Sequence, residues 1–502
     1  MKPQGAMKDF ESLLCLCNIK TTTLFKLIIS FIIFLSFSYV FNSINLTSFS
    51  IQSLEKSLRN SSSIFVQNPT EKSAGNFQTY PIIPQEKTQL RHIVFGIASS
   101  SKLWKHRKEY IKLWWKPEEM RGFVWLDKPV KRSTDDKQCL PSVKISSSTS
   151  KFKYKNSIGD RSAIRMSRIV SETVRQGLDD VRWIVLGDDD TFFFAENLVR
   201  VLSKYDHNQF YYIGKSSESH RQNIHFSYNM AYGGAGFAIS YPLAKTLEKM
   251  QDRCLHRYPK LYGLDDRIQA CMAELGVPLT VEMGFHQLDI YGDAFGLLAA
   301  HPIAPLLSLH HLDVIEPIFP NTGRIQSLRR LKMPMKLDSA GLMQQSICYD
   351  SVKNWTISVS WGYATQIFRG IVLAREMEIP LRTFANWYRM HNEDGFSLKT
   401  RPLSTNACRR PFVYLLSNAI YNRATNRTAS EYVKIQNRNS ECNWKEMANP
   451  SHVWRVEVYK MREPNLWDKP PRRNCCRVLP STKEGTIAID VGECREGEII
   501  EL

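Results

Sequence analysis

Three short runs that are almost wholly apolar constrain this chain more than any other feature: residues 92–98 (HIVFGIA), 122–126 (GFVWL) and 183–186 (WIVL). Strands exposed on one face alternate apolar with polar residues, so runs like these belong to strands buried on both faces of a parallel sheet. Between them the period changes. Leu103, Trp104, Tyr110, Ile111, Trp114 and Trp115 recur at helical spacing, as do Ala163, Met166, Val170, Val174 and Leu178. Strands alternating with helices predict an open α/β sheet over residues 89–320. Ligands of such sheets sit beyond the carboxyl ends of the strands. Asp127 ends the second run, and Asp188, Asp189 and Asp190 follow the third.

Three adjacent carboxylates raise one another's pKa unless a cation offsets them. Oxygen-only ligands suit a hard divalent ion such as Mg²⁺ or Mn²⁺, which also accepts phosphate oxygens. Capping of a helix at 196–204 is the alternative, since Asp favours a helix N-terminus. Residues 232–236 (YGGAG) form a small-residue loop that lets backbone approach a bulky ligand or simply turns. Asp265 and Asp266 precede apolar residues at helical spacing, as a general base would, or as helix caps. The pair His310-His311, followed by Leu312 and Asp313, reads as ligands or as solvated histidines.

The chain has 502 residues, a net charge of +18 and 11 cysteines. Its length allows two or three domains and a large core. The positive charge suits acidic partners, but it is spread along the chain and no zinc-finger, basic-zipper or RNA-recognition signature is present, which argues against nucleic acid. No charge occurs between Lys26 and Glu55, and Lys2, Lys8, Lys20 and Lys26 come before the gap. This pattern predicts a cytoplasmic tail (1–26), an uncleaved transmembrane signal anchor (27–48) and a polar stem (49–88), with the remainder lumenal. Sequons at Asn45, Asn60, Asn354 and Asn426 agree with a lumenal location. Cys15 and Cys17 fall on the cytoplasmic side. The other cysteines are odd in number and lie in an oxidising lumen, so disulfides are expected with at least one thiol left over.

From about residue 345 the period becomes two: 355–361, 453–459 and 486–491 alternate between polar turns. The segment 321–502 is therefore expected to be a β-rich extension, an antiparallel sandwich stapled by cysteines. Its tryptophans, Trp355, Trp361, Trp387, Trp444, Trp454 and Trp467, are candidates for core packing or for a carbohydrate-stacking platform.

The ordered motifs VWLD (124–127), GDDDTFF (187–193), YIGKSSE (212–218), GGAGFAIS (233–240), LDDRIQACM (264–272) and HHLD (310–313) resemble fringe and the wider β1,3-glycosyltransferase clan. Plant fringe-related proteins, with a GIASS…WW…RGFVWLD opening and a long C-terminal extension, are similar throughout this region. The resemblance implies a GT-A (Rossmann-like) domain at 89–320 and a single-pass type II Golgi membrane protein. It implies an inverting hexosyltransferase that moves a sugar from a UDP-sugar, with Mn²⁺, to a glycan or glycoprotein hydroxyl in β1,3 linkage. On that basis Asp190, Asp188 and His311 are the expected metal ligands, with His310 the alternative. Arg107, Asp127, Asp188, Asp189, Gly234 and Gly236 are expected at the donor, and Asp266 as catalytic base. Leu264 stands where the family has proline. A catalytically silent glycan-binding or scaffolding membrane protein on the same fold is the alternative function.

Overall fold

The computed structural model describes residues 86–435, 442 and 448–498, together with Ser30, Ile33, Leu35 and Ser36, which are helical. The expected tail, anchor and nearly all of the stem lie outside the described residues, as do Cys15, Cys17, Asn45, Asn60 and Trp444. Among the described residues no helix is long and apolar enough to cross a membrane. All that follows concerns the compact unit Gln85–Leu502.

The predicted strands Ile93–Ala98, Arg121–Leu126 and Trp183–Asp188 form the middle of a seven-stranded sheet. Its spatial order is Ser142–Ile145, Arg121–Leu126, Ile93–Ala98, Trp183–Asp188, Phe237–Ser240, Tyr212–Gly214, Leu279–Val281. All neighbours are parallel except that Phe237–Ser240 runs against both of its partners. This is the mixed α/β, Rossmann-like sheet the motifs imply.

The wholly apolar runs follow from helices on both faces. Along one strand Trp183 and Val185 enter one core cluster while Ile184 and Leu186 enter another. The first cluster receives Trp104, Ile111 and Trp114 from the helix Trp104–Trp114. The second receives Leu243, Leu247 and Ile268 from the helices Tyr241–Arg257 and Leu264–Glu274. The helix expected over 163–178 is present as two pieces, Ser162–Ser167 and Ile169–Val174.

The C-terminal region is not a two-sheet sandwich. It is one eight-stranded sheet, ordered Gln345–Asp350, Trp355–Ser360, Ala364–Arg369, Phe412–Asn422, Arg427–Lys434, Arg455–Met461, Thr486–Gly492, Cys475–Leu479. It is antiparallel except where Arg455–Met461 pairs with Thr486–Gly492 in parallel. Its edge strands meet each other, and a Cys348–Cys476 disulfide joins them across a Cα separation of 4.9 Å. The curl leaves Trp355–Ser360 buried on both faces, although its residues alternate in polarity. Buried Ser358 Oγ accepts from Gln345, and Thr356 Oγ1 donates to the Gly370 carbonyl, so the polar half of the strand is satisfied internally.

Disulfides also join Cys254 to Cys271, Cys408 to Cys442 and Cys475 to Cys494, leaving Cys139 as the thiol over among the described residues. One hydrophobic cluster runs from Phe95 through Leu307 to Ile357 and Val456, so the α/β sheet and the C-terminal sheet share a core. Trp355 and Trp361 are buried in it and Trp467 is buried outside it; their indole N–H groups donate to Ala448, Ser430 and Ala340, whereas Trp454 is 64% exposed.

Candidate functional site

The site begins at the carboxyl end of Trp183–Asp188, where the chain turns through Asp189 and Asp190 before the short strand Phe192–Phe193. Thr191 closes this turn. Its hydroxyl accepts from the Asp188 amide (2.8 Å) and donates to the Gly234 carbonyl (2.7 Å), fastening the acidic turn to the glycine loop.

A second tie is a small sheet in which Ser308–Leu309 lies between Phe192–Phe193 and Phe285–His286. In an extended strand residues i and i+2 share a face. Ser308 faces Ala235, to whose carbonyl its hydroxyl donates, and His310 faces Gly234. His310 therefore enters the acidic turn: its Nε2 is 3.3 Å from an Asp190 oxygen and 3.8 Å from an Asp188 oxygen. One ligand atom each from Asp188, Asp190 and His310 falls within 4.8 Å of the others. His311, the residue expected to complete the metal shell, is turned away by its positive φ of 50°. Its Nδ1 lies 3.2 Å from Asp289, and its ring stacks on Trp387.

Asp190 has no exposed surface, and neither of its oxygens has a hydrogen-bond partner among the described residues. Both oxygens are thus buried and aimed at a shared space with His310, which fits a divalent cation. Burial alone would push the Asp190 carboxyl up, but His310 and Arg107 outweigh it and hold the group below the usual carboxylate range. Burial would likewise lower His310, yet Asp190 and Asp188 raise it to about 9. Asp188 is raised by burial and by Asp190. Asp189 is pushed up to about 7 by burial and by Asp190, against the pull of Arg107, and it accepts from Ser99 Oγ at 2.6 Å.

Arg107, on the helix Trp104–Trp114, stands beside the acidic residues. Its guanidinium is 3.1 Å from Asp189, 3.2 Å from Asp190 and 2.7 Å from Asp313. Burial would lower its pKa, but the three carboxylates raise it. Asp127 is exposed at the neighbouring strand end, where it accepts from the Ser101 amide (2.7 Å) and hydroxyl (3.1 Å).

Each glycine of the loop admits a side chain of the site. A Cβ at Gly233 would lie 2.5 Å from Asp265 Oδ1, and one at Gly234 2.1 Å from the His310 ring. Gly236 has φ +83°, and a Cβ there would meet the Phe193 ring at 2.6 Å. The expected closeness to a ligand is thus first a closeness to protein groups.

The acidic pair divides its labour. Asp266, expected as base, reaches back over the first turn of Leu264–Glu274 and accepts from the Tyr262 and Gly263 amides at 2.6 and 3.0 Å. That is the geometry of a helix cap. Asp265 instead faces the glycine loop, where Oδ1 accepts from the Gly233 amide at 2.8 Å. Burial and Asp188 push its pKa well above the carboxylate range.

Several contributors had no signal in the sequence. Buried Arg165 donates to the Trp125 and Ser99 carbonyls at 3.0 and 2.7 Å, holding together the ends of two strands that flank the site. It lies in an amphipathic repeat where nothing marks it out. Asp289 pairs with His311 and accepts from Ser217 Oγ. For His310, period-two alternation from Ser308 was a usable signal.

Residues 88–294 match a family described as Fringe-like. Residues 222–476, a little over half of the chain, match a family described as a protein of unknown function, DUF604. The two matches overlap across the glycine loop and the acidic pair. Arg107 and the acidic triplet fall in the first alone, and His310, Asp313 and Trp387 in the second alone. A curated relative is the beta-1,3-N-acetylglucosaminyltransferase lunatic fringe of Xenopus laevis, 24% identical over 174 residues, which is 32% of this chain and 43% of that protein. The chain thus spans less than half the length of that relative.

Proposed function

The chain belongs to the fringe-related family, and on that premise we propose that it is an inverting glycosyltransferase. It moves a hexose or N-acetylhexosamine from a UDP-sugar to a hydroxyl of a glycan or glycoprotein, in β1,3 linkage. The observation that carries this reading is the grouping of Asp188, Asp190 and His310, with both Asp190 oxygens buried and without a hydrogen-bond partner among the described residues.

Asp188, Asp190 and His310 would hold Mn²⁺, whose positive charge stabilises a departing diphosphate. Arg107 sits against Asp189, Asp190 and Asp313, keeping the acidic turn compact and adding positive charge on the donor side. Asp127, exposed at the adjacent strand end, would meet the donor base. Asp265 takes the proton from the acceptor hydroxyl. Its Oδ1 is fixed by the Gly233 amide, and its Oδ2 has no hydrogen bond among the described residues. A carboxylate with a raised pKa is a stronger base. Asp266 fixes the helix on which Asp265 rides.

Purified protein assayed for Mn²⁺-dependent turnover of a UDP-sugar panel tests this reading. Asp265→Asn is expected to lower transfer at least 10²-fold, the range general-base catalysis supplies. Asp266→Asn is expected to cost about 1 kcal/mol of stability through the lost cap. If Asp266→Asn abolishes transfer and Asp265→Asn does not, the base is Asp266. If no donor is turned over while glycans still bind, the protein is instead the silent glycan-binding or scaffolding protein.

The same proposal places the chain in the Golgi membrane as a single-pass type II protein. The tail is 1–26, the anchor 27–48, the stem 49–88, the GT-A domain 89–320 and the β-rich extension 321–502. The four disulfides among the described residues support an oxidising lumen. Resistance of Asn354 and Asn426 to N-glycosylation, together with protease accessibility in intact microsomes, would refute that placement.

A further inference from the structure

The C-terminal region reaches the site. Its strand Phe384–Asn386 pairs antiparallel with Ile290–Gly292, in the register Ile290↔Asn386 and Gly292↔Phe384. The loop that follows is built on buried Asn386. The Asn386 side-chain oxygen accepts from the Tyr388 and Met390 amides at 2.9 and 3.1 Å, and the Asn386 backbone N–H donates to the Met390 carbonyl at 2.8 Å. A few residues on, Ser397 donates to the Glu218 and Ser217 carbonyls at 2.8 and 2.7 Å. This segment is therefore fastened to the α/β domain on both sides of the loop.

Trp387, half-buried, is the first residue of the loop to meet the site. It stacks on Tyr291 (centroids 5.0 Å, 16°) and on His311 (4.6 Å, 13°). Held by these two rings, Trp387 is a positioning residue. What it positions is Tyr388, 44% exposed, with the Arg221 guanidinium 5.1 Å from its ring centre. Tyr232, which precedes Gly233 of the glycine loop, is only 4% exposed, and its hydroxyl has no hydrogen-bond partner among the described residues. Asp289, Asp265, Tyr388 and Tyr228 are the ionisable groups whose charges bear on this hydroxyl. A buried hydroxyl left unpaired costs free energy and calls for an explanation.

We propose that the loop of residues 386–390 forms the acceptor wall of the site, where Tyr388 stacks on a sugar ring of the acceptor and the Tyr232 hydroxyl bonds to one of its hydroxyls. The proposal rests on the transferase reading above and adds that the acceptor is a carbohydrate gripped by the C-terminal region. Sugar rings present C–H faces to aromatic rings, and tyrosine supplies an apolar body with a polar tip.

The test is binding of the p-nitrophenyl glycosides of galactose, glucose, N-acetylglucosamine and fucose to the full chain, by calorimetry with UDP and Mn²⁺ present. Wild type is expected to bind at least one of them. Tyr388→Ala is expected to weaken that glycoside about three- to tenfold, as befits one aromatic contact. Tyr232→Phe is expected to weaken it to a similar degree with no loss of thermal stability, because it removes a hydroxyl that has no partner in the free protein. A merely structural role for Tyr232 would move stability and leave binding alone. Val352→Ala, at a position 95% exposed and remote from the loop, is the unaltered control.

Absence of binding to all four glycosides, or wild-type affinity in both tyrosine variants, overturns the proposal. Hydrolysis of UDP-sugar by water needs no acceptor, so wild-type hydrolysis tests the transferase reading separately. Binding that depends on Tyr388 without hydrolysis would sink that reading and leave a glycan-binding site.

Discussion

Gly234→Ala adds one methyl group and no charge, yet the structure makes it a severe change. The φ of Gly234 lies outside the left-handed region, so alanine is acceptable to the backbone and the effect is purely one of space. The new Cβ would fall 2.1, 2.3 and 2.6 Å from Cε1, Nδ1 and Nε2 of His310. Carbon atoms need roughly 3.5 Å, so the ring must retreat by about 1.4 Å. His310 is 4% exposed, and the His311 ring centre is already 3.9 Å away, so little room exists for the retreat. Such overpacking costs about 1–3 kcal/mol. The ring also leaves Asp190, from which its Nε2 now stands at 3.3 Å. A misplacement of about 1 Å at a reacting centre costs on the order of 10²-fold in rate. Initial rates of UDP-sugar hydrolysis across a Mn²⁺ titration, with melting curves in chelator and in Mn²⁺, read both effects. Wild type is expected to gain thermal stability from Mn²⁺ and Gly234→Ala to lose most of that gain. Gly492→Ala, where a Cβ meets nothing within 4 Å, serves as the neutral comparison. Wild-type Mn²⁺ dependence in Gly234→Ala would show that the placement of His310 has no bearing on metal or rate.

Two further outcomes are expected. Replacing Cys254 and Cys271 together with alanine opens the link between the helices Tyr241–Arg257 and Leu264–Glu274, across a sequence separation of 17. By loop-closure entropy this costs about 3 kcal/mol, read as a lower denaturant midpoint, and an unchanged midpoint would contradict it. Glu218 is buried; burial pushes its carboxyl up, but the His286 hydrogen bond and Lys215 prevail and hold it at about 2. A depressed carboxyl stabilises the fold above its unfolded pKa, about 4.3, and the contribution disappears as pH falls through about 2. Urea midpoints of wild type and Glu218→Gln should therefore converge between pH 5 and pH 2; a gap that stays constant would refute the linkage.

The local signals carried the parts of the site that depend on neighbours in sequence. The run 183–186 announced a strand buried on both faces, and the residues after it had to lie at a strand end; both follow from periodicity and chain direction. Asp127 lies at the end of the strand Arg121–Leu126 that its apolar run marks, whereas Arg107, singled out by the resemblance, lies on the helix Trp104–Trp114. Choices between adjacent residues were harder. His310 and His311 differ only in which side of a short strand they leave, and the positive φ of His311 sets that side. Asp265 and Asp266 differ by one step around a helix start: one step caps the backbone and the next faces the glycine loop.

The C-terminal region had the right secondary structure and the wrong architecture. Period-two alternation reports that a strand has two unlike faces, but not whether a second sheet or the far edge of the same sheet covers the buried one. Here the Cys348–Cys476 link and the meeting of the edge strands decide for closure.

By itself, then, the sequence determined the α/β class, the strand ends where carboxylates gather, the cysteine parity and the family. Each of these rests on local periodicity, chain direction or ordered motifs. Only the tertiary structure decided which histidine faces Asp190, which carboxylate faces the glycine loop, and that Trp387 stacks on Tyr291 and His311, 96 and 76 positions earlier. Those are contacts between segments far apart in the chain, and their pairing is settled by packing and strand register, which no local pattern encodes.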